Sequence, residues 1–233
     1  MTTAAPTAIL LDLDGTIADS IPIFYALSCE VFEVAGIPAP SFEAHRAAMA
    51  EPGSPIDRLF PADFPDRAAF FAKLYQERWT GWLERYEREA QPIPGACDAL
   101  RTLRRAGLSL AIVTSSLGAL SFLDRWAIRE LFVTIVQRGD VEKIKPDPEP
   151  LVLALRRLER AASAALHVGD SPLDAIAGVA AGTPTIGVLT GVGREADLLA
   201  AGAVHVLPAL ADLPDALPGF LGGESFARVS PRP

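Results

Sequence analysis

Thr7-Ala-Ile-Leu-Leu-Asp12-Leu-Asp14-Gly-Thr16 opens the chain with an apolar run that stops at two carboxylates and a glycine. An apolar run ending in a polar turn is the pattern of a buried strand. Both aspartates then sit at its C-terminal end, spaced so that an extended backbone would set their side chains on one face, and Gly15 lets the chain turn sharply. Two nearby carboxylates demand a cation, which counts Asp12 and Asp14 among the expected metal ligands. Asp-Gly is also an ordinary turn pair, and a single aspartate can cap a helix. Neither explains two charges beside an apolar strand.

Working outward, four more runs of strand length occur at 109–113, 133–136, 165–168 and 185–189. Stretches with helical spacing separate them, at about 95–106, 117–127, 148–160 and 172–181. Several open with Pro and close at Gly107 or Gly182. This alternation predicts an α/β fold with a doubly wound parallel sheet. Between Ser20 and Pro92 the alternation fails, and roughly seventy residues show helical patterns broken by Gly and Pro. We expect a catalytic core from 1–19 and 93–221, an inserted α-helical cap over 20–92, and a flexible tail at 222–233.

Bulk properties narrow the partners. The chain has 233 residues, 50% hydrophobic and 21% charged, enough for a substantial core. A formal charge of -8 repels a nucleic-acid backbone, and Arg156, Arg157 and Arg160 read as one solvated helical face. Cys29 and Cys97 are the only cysteines, too few for a disulfide framework and wrong for a zinc site. No basic leader precedes the first strand, and no stretch approaches the ~20 apolar residues that span a bilayer. The expectation is a cytoplasmic protein, monomeric or homodimeric, with neither nucleic acid nor membrane as partner.

In an open parallel sheet, ligands collect beyond the carboxyl ends of the strands, and four segments meet that condition. The first holds Asp12 and Asp14. The second is Thr114-Ser115-Ser116, whose hydroxyls and amides can hold phosphate oxygens, although Ser and Thr are also ordinary N-caps. The third is Lys145 before Pro146, an ammonium able to neutralise phosphate, with Lys143 as a nearby competitor. The fourth is Gly169-Asp-Ser-Pro-Leu-Asp174, which sets Asp170 after a strand and Asp174 on the first helical turn; Asp170 could be only a cap. Their joint placement is the signal. Carboxylates are the hard ligands Mg²⁺ prefers, and no His or Cys cluster argues for zinc or iron.

These four segments resemble, in order, the motifs of the haloacid dehalogenase superfamily. Pro94-Gly95, Ala180-Ala-Gly182 and the later run from Gly187 to Ala203 extend the likeness to its phosphoglycolate phosphatase branch, which carries a helical cap. The resemblance implies a Rossmann-like core, Asp12 as nucleophile and Asp14 as general acid and base. It further implies that Thr114 and Lys145 hold the phosphoryl group and that Asp170 binds Mg²⁺, with Asp174 supporting the metal shell. Ser115 stands where phosphoglycolate phosphatases often carry Asn, and the Thr-Ser-Ser run is more reminiscent of sugar phosphatases and phosphomutases. Glu51-Pro-Gly-Ser-Pro55 resembles the cap loop that faces the core, with Arg58 close behind.

Other residues read as structural. Tyr75, Trp79, Trp82 and Tyr86 recur at helical spacing, the mark of a packed helix face. His167 reads as a satisfied core histidine. Gly191-Val-Gly193 lacks the third glycine and acidic partner of a dinucleotide fingerprint. The expected activity is Mg²⁺-dependent hydrolysis of a small phosphorylated metabolite, phosphoglycolate or a sugar phosphate, through an aspartyl-phosphate. The competing readings are a phosphomutase of the beta-phosphoglucomutase type and a phospho-accepting signalling module, whose short length fits poorly with this insertion.

Overall fold

A computed structural model describes residues 7–221; the expected tail at 222–233 lies outside the described residues. The chain enters through β1 (Ala8–Leu11) and the short β2 (Ala18–Asp19). The helices α1 (Ile21–Val34), α2 (Phe42–Met49), α3 (Pro55–Leu59) and α4 (Arg67–Glu89) come next, and β3 (Gln91–Pro92) returns the chain. Then come α5 (Ala96–Arg105), β4 (Ser109–Val113), α6 (Phe122–Arg125), β5 (Phe132–Val136), α7 (Glu149–Leu158) and β6 (Ala165–Gly169). The chain closes with α8 (Pro172–Ala181), β7 (Thr185–Val188), α9 (Glu195–Ala200), β8 (His205–Leu207) and α10 (Leu213–Leu221).

Six strands form one sheet in the order β5-β4-β1-β6-β7-β8, with every pairing parallel. Helices cover both faces, as an all-parallel sheet requires. Alternate residues of β1 divide between two cores. Ile9 and Leu11 join Leu110, Ile112, Leu166 and Val168 on one side, while Ala8 and Leu10 join Val113, Leu151 and Leu155 on the other. Each fully buried leucine or isoleucine contributes about 1.5–3 kcal/mol, so β1 has no solvent-facing side. The order reverses beside β1, because the chain leaves it for β4 and β5 on one flank and reaches β6 on the other. A crevice for ligands opens at such a switch point.

Two differences from expectation have local causes. The sheet has a sixth strand, β8, only three residues long, too short for a period-two pattern to emerge. The helix expected over 117–127 is reduced to Phe122–Arg125. Gly118 (φ 145) and Leu120 (φ 52) leave the right-handed helical region. The Glu87 carboxylate instead takes the Leu120 and Ser121 amides at 2.6 and 2.7 Å, anchoring this loop to α4.

β2 and β3 pair antiparallel, Ala18 opposite Pro92 and Asp19 opposite Gln91, so the chain enters and leaves the helical segment through one two-stranded stem. Within that segment Phe60 gathers Phe32, Phe64, Phe70 and Phe71, with ring centroids 4.9–5.6 Å apart. That aromatic cluster is separate from the sheet's cores. Among the described residues, no helix is long and apolar enough to cross a membrane.

Candidate active site

The first loop is held against the sheet by its backbone, since the Asp12 amide donates to Val168 O at 2.8 Å. Gly15 then turns with φ +83, and a Cβ there would lie 2.7 Å from Asp170 Oδ2. On the opposite wall, a Cβ at Gly191 would fall 1.8 Å from that same oxygen. The Asp170 carboxylate thus occupies a slot that exists because two neighbouring residues lack side chains. In it, Oδ2 accepts the Val192 amide at 2.8 Å and Oδ1 accepts the Thr16 hydroxyl at 3.5 Å. Burial, reinforced by the charge of Asp174, pushes the Asp170 carboxyl up to about 7.

Asp174 stands at the start of α8, where Ser171 forms a capping box with it. Its Oδ2 accepts the Ser171 amide and hydroxyl at 3.1 and 2.7 Å. Its Oδ1 accepts Lys145 Nζ at 2.6 Å. Lys145 also donates to Asp12 Oδ1 and, at 3.0 Å, to Val113 O, so all three ammonium protons are engaged. Burial alone would pull this ammonium down, but the Asp12 and Asp174 carboxylates outweigh it and the net displacement is upward. Burial opposes ionisation of Asp174 as well, yet Lys145 holds its carboxyl below the ordinary value. Asp12 goes the other way. Burial raises it well above the carboxylate range, and the charges of Asp174, Asp170 and Asp14 add to that against Lys145.

One carboxylate oxygen each from Asp12, Asp170 and Asp174 lies within 4.8 Å of the others. Three buried carboxylates facing one lysine leave excess negative charge, and the donors are all hard oxygens. That chemistry fits Mg²⁺.

Asp14 stands outside this group. Its Oδ1 accepts hydroxyls from Ser20 at 2.7 Å and Tyr86 at 2.8 Å, and its Oδ2 accepts Ser116 at 2.5 Å and Thr114 at 3.4 Å. The Asp14 carboxylate, counted from sequence among the metal ligands, is therefore surrounded by hydroxyls. Thr114, expected to face the phosphoryl group, also accepts the Ser116 amide at 3.0 Å.

Sequence reasoning missed Tyr86 and Ser20. The ring of Tyr86 does pack, stacked on Phe24 at 5.3 Å and edge-on to Phe122 at 5.2 Å. Its hydroxyl is what reaches Asp14, and burial together with that carboxylate raises the phenol well above its usual value, so it remains a donor. The available signal was a tyrosine closing an otherwise apolar stripe, since a buried phenol needs a partner.

Two structural readings need correction. Tyr75 and Trp79 are not packed away: they are 37% and 42% exposed and line a cavity of about 850 Å³ that has Asp12, Asp14 and Asp170 in its wall. His167 is buried but not satisfied. Its Nδ1 lies 3.4 Å from Thr185 Oγ1, while Nε2 has no hydrogen-bond partner among the described residues and sits 3.8 Å from Asp174 Oδ1. Burial lowers this imidazole to about 4 and keeps it neutral.

Comparison with known proteins agrees with this geometry. The protein named phosphoglycolate phosphatase, plasmid, of Cupriavidus necator is 32% identical over 236 residues, covering 97% of this chain and 96% of its own length. Pyrophosphatase PpaX of Bacillus velezensis is 31% identical over 219 residues, covering 91% and 97%. Among solved structures, CbbY from Rhodobacter sphaeroides in complex with phosphate superposes with a TM-score of 0.70 at 28% identity, covering 89% of this chain and 96% of that one. The model of the haloacid dehalogenase-like hydrolase family matches residues 9–188. With the parallel sheet, the switch-point crevice and the converging aspartates, that match makes this chain a member of the haloacid dehalogenase-like hydrolase family.

Proposed function

We propose that this enzyme hydrolyses a phosphomonoester through a phosphorylated Asp12, with residues 20–92 acting as a cap over the core. The observation that carries the reading is the meeting of Asp12, Asp170 and Asp174 oxygens within 4.8 Å around Lys145, which bonds to both Asp12 and Asp174. Phosphoryl transfer needs positioning and charge neutralisation more than elaborate covalent chemistry.

Lys145 holds Oδ1 of Asp12, and no described residue donates to Oδ2, which leaves that oxygen to attack phosphorus. A bond forms between Asp12 and phosphorus as the bond from phosphorus to the leaving alcohol breaks. Asp14, entering this step protonated, gives the departing oxygen its proton and is left as a carboxylate. Water then attacks phosphorus and surrenders a proton to Asp14, the bond to Asp12 breaks, and inorganic phosphate leaves with Asp12 restored. Ser20, Tyr86, Thr114 and Ser116 keep the Asp14 carboxylate in place through both transfers. Asp12 and Asp170 would hold Mg²⁺, with Asp174 fixing Lys145 behind them; when bound, the ion neutralises charge on the transferring phosphoryl group.

The test is release of inorganic phosphate from a generic aryl phosphate with Mg²⁺, set beside an Asp12→Asn variant. No turnover of any phosphomonoester by the parent protein would remove the reading.

A further inference from the structure

The cavity above Asp12 is large and apolar, and the helical segment supplies no cation to it. Its upper wall is an aromatic band from α4, in which Tyr75 meets Trp79 at 6.1 Å and Trp82 at 6.0 Å. Phe24 and Leu27 of α1 and Leu83 continue that surface. No lysine or arginine of residues 21–89 lines it. Asp57 does, but it is paired with Arg67 at 3.2 Å, and Arg58 of the same helix α3 is tied to Pro52 O at 2.8 Å. His45 also lines the cavity; its Nδ1 has no hydrogen-bond partner among the described residues and burial lowers its basicity, so it offers a neutral polar group. Among the described residues, the cations lining it belong to the core: Lys145, with its donors taken, and the exposed Arg138.

We infer that the substrate's alcohol portion is an uncharged body carrying an aromatic ring, seated against Tyr75, Trp79 and Trp82. The inference rests on the phosphatase reading of the same site and names its substrate class. Three physical reasons favour it. A volume of about 850 Å³ lies near the top of the range for pockets that enclose a drug-sized ligand, and an acid of glycolate size would leave most of it filled with water. A second carboxylate would find no lysine or arginine lining the helical side and would face Asp14. Rings on Tyr75 and Trp79 that remain exposed in an otherwise apolar wall match the offset or edge-on packing of another ring.

The experiment compares kcat/KM for naphthylethyl phosphate, phosphoglycolate and glucose-6-phosphate. An alkyl ester is chosen so that leaving-group acidity does not itself favour the aromatic compound. We expect naphthylethyl phosphate to lead by at least about tenfold. The double variant Tyr75→Ala with Trp79→Ala should narrow the preference for naphthylethyl phosphate over phosphoglycolate by about tenfold. Binding of naphthylethyl phosphate to the Asp12→Asn variant, followed by calorimetry, reports on the cavity without turnover. If no ester is hydrolysed yet the naphthyl compound binds and the double variant abolishes that binding, the phosphatase reading falls and the aromatic site stands. Preference for phosphoglycolate or glucose-6-phosphate, or equal loss for all three esters in the double variant, overturns the inference.

Discussion

The Tyr86 hydroxyl on α4 donates to Asp14 Oδ1 at 2.8 Å across 72 positions of sequence. Through that bond the helical segment contributes directly to the site at the end of β1. A hydrogen bond to a charged group is worth about 1.5–3 kcal/mol, and Ser20, Thr114 and Ser116 remain when it is removed. Tyr86→Phe should therefore lower kcat by about tenfold with KM within a factor of about three. The ring still packs on Phe24 and Phe122, so the melting temperature should move little. Unchanged kcat in steady-state assays would show that Asp14 does not depend on this phenol.

Protonation and metal binding should oppose one another. The Asp170 carboxyl is raised from 3.8 to about 7 in the folded protein, and Asp12 is raised in the same direction. A raised folded-state value stabilises below the unfolded value and loses that contribution as pH climbs through the folded one. Metal-free protein should thus lose stability between about pH 4 and pH 7. Excess Mg²⁺ selects the ionised carboxylates and should restore it, so the rise in melting temperature on adding Mg²⁺ should be larger at pH 8 than at pH 5. Thermal scans with Mg²⁺ or a chelator at both values check this; an equal rise at both would contradict it.

Gly191 faces Asp170 so closely that a methyl group would sit 1.8 Å from Oδ2. Gly191→Ala should displace that carboxylate from the Asp12 group, weaken Mg²⁺ binding by at least about tenfold and reduce kcat/KM by at least about a hundredfold. Calorimetric Mg²⁺ titration and steady-state kinetics, with circular dichroism to confirm folding, measure both. Parental Mg²⁺ affinity would mean the slot has room to spare.

Arg46 of α2 reaches across to the core, with Nε on Gly191 O at 3.1 Å and Nη2 on Gly193 O at 3.3 Å. Those carbonyls flank Val192, whose amide holds Asp170. Removing the guanidinium should loosen this segment without touching a reacting atom. Arg46→Ala is expected to speed hydrogen exchange at the Val192 amide by about tenfold or more and to cut kcat/KM by about threefold to tenfold. Unaltered exchange at Val192 would show that the loop is rigid on its own.

Much is legible along the chain because the information is local. A parallel strand buried on both faces must be nearly all apolar, so β1, β4, β6 and β7 read directly as hydrophobic runs. The sheet presents ligands just beyond the carboxyl end of each strand, so Asp12, Thr114 and Asp170 stand out through their joint placement there. The edge strand β8 escapes notice because three residues carry no period, and the loop before α6 reads as helical by its spacing although Gly118, Leu120 and the distant Glu87 bend its backbone away from helix.

The α/β alternation, the helical interruption after the first strand and the set of acidic residues at strand ends are written along the chain, since each depends on hydrophobic period or on neighbours in the chain. Packing sets how those acids divide: Asp12, Asp170 and Asp174 meet around Lys145, while Asp14 turns to four hydroxyls. It also decided that Tyr75 and Trp79 line a cavity and that Arg46 reaches Gly191. The physical reason is that a side chain's partner across the crevice is set by how helices and sheet pack, and residues 72 to 145 positions apart leave no periodic trace of their meeting.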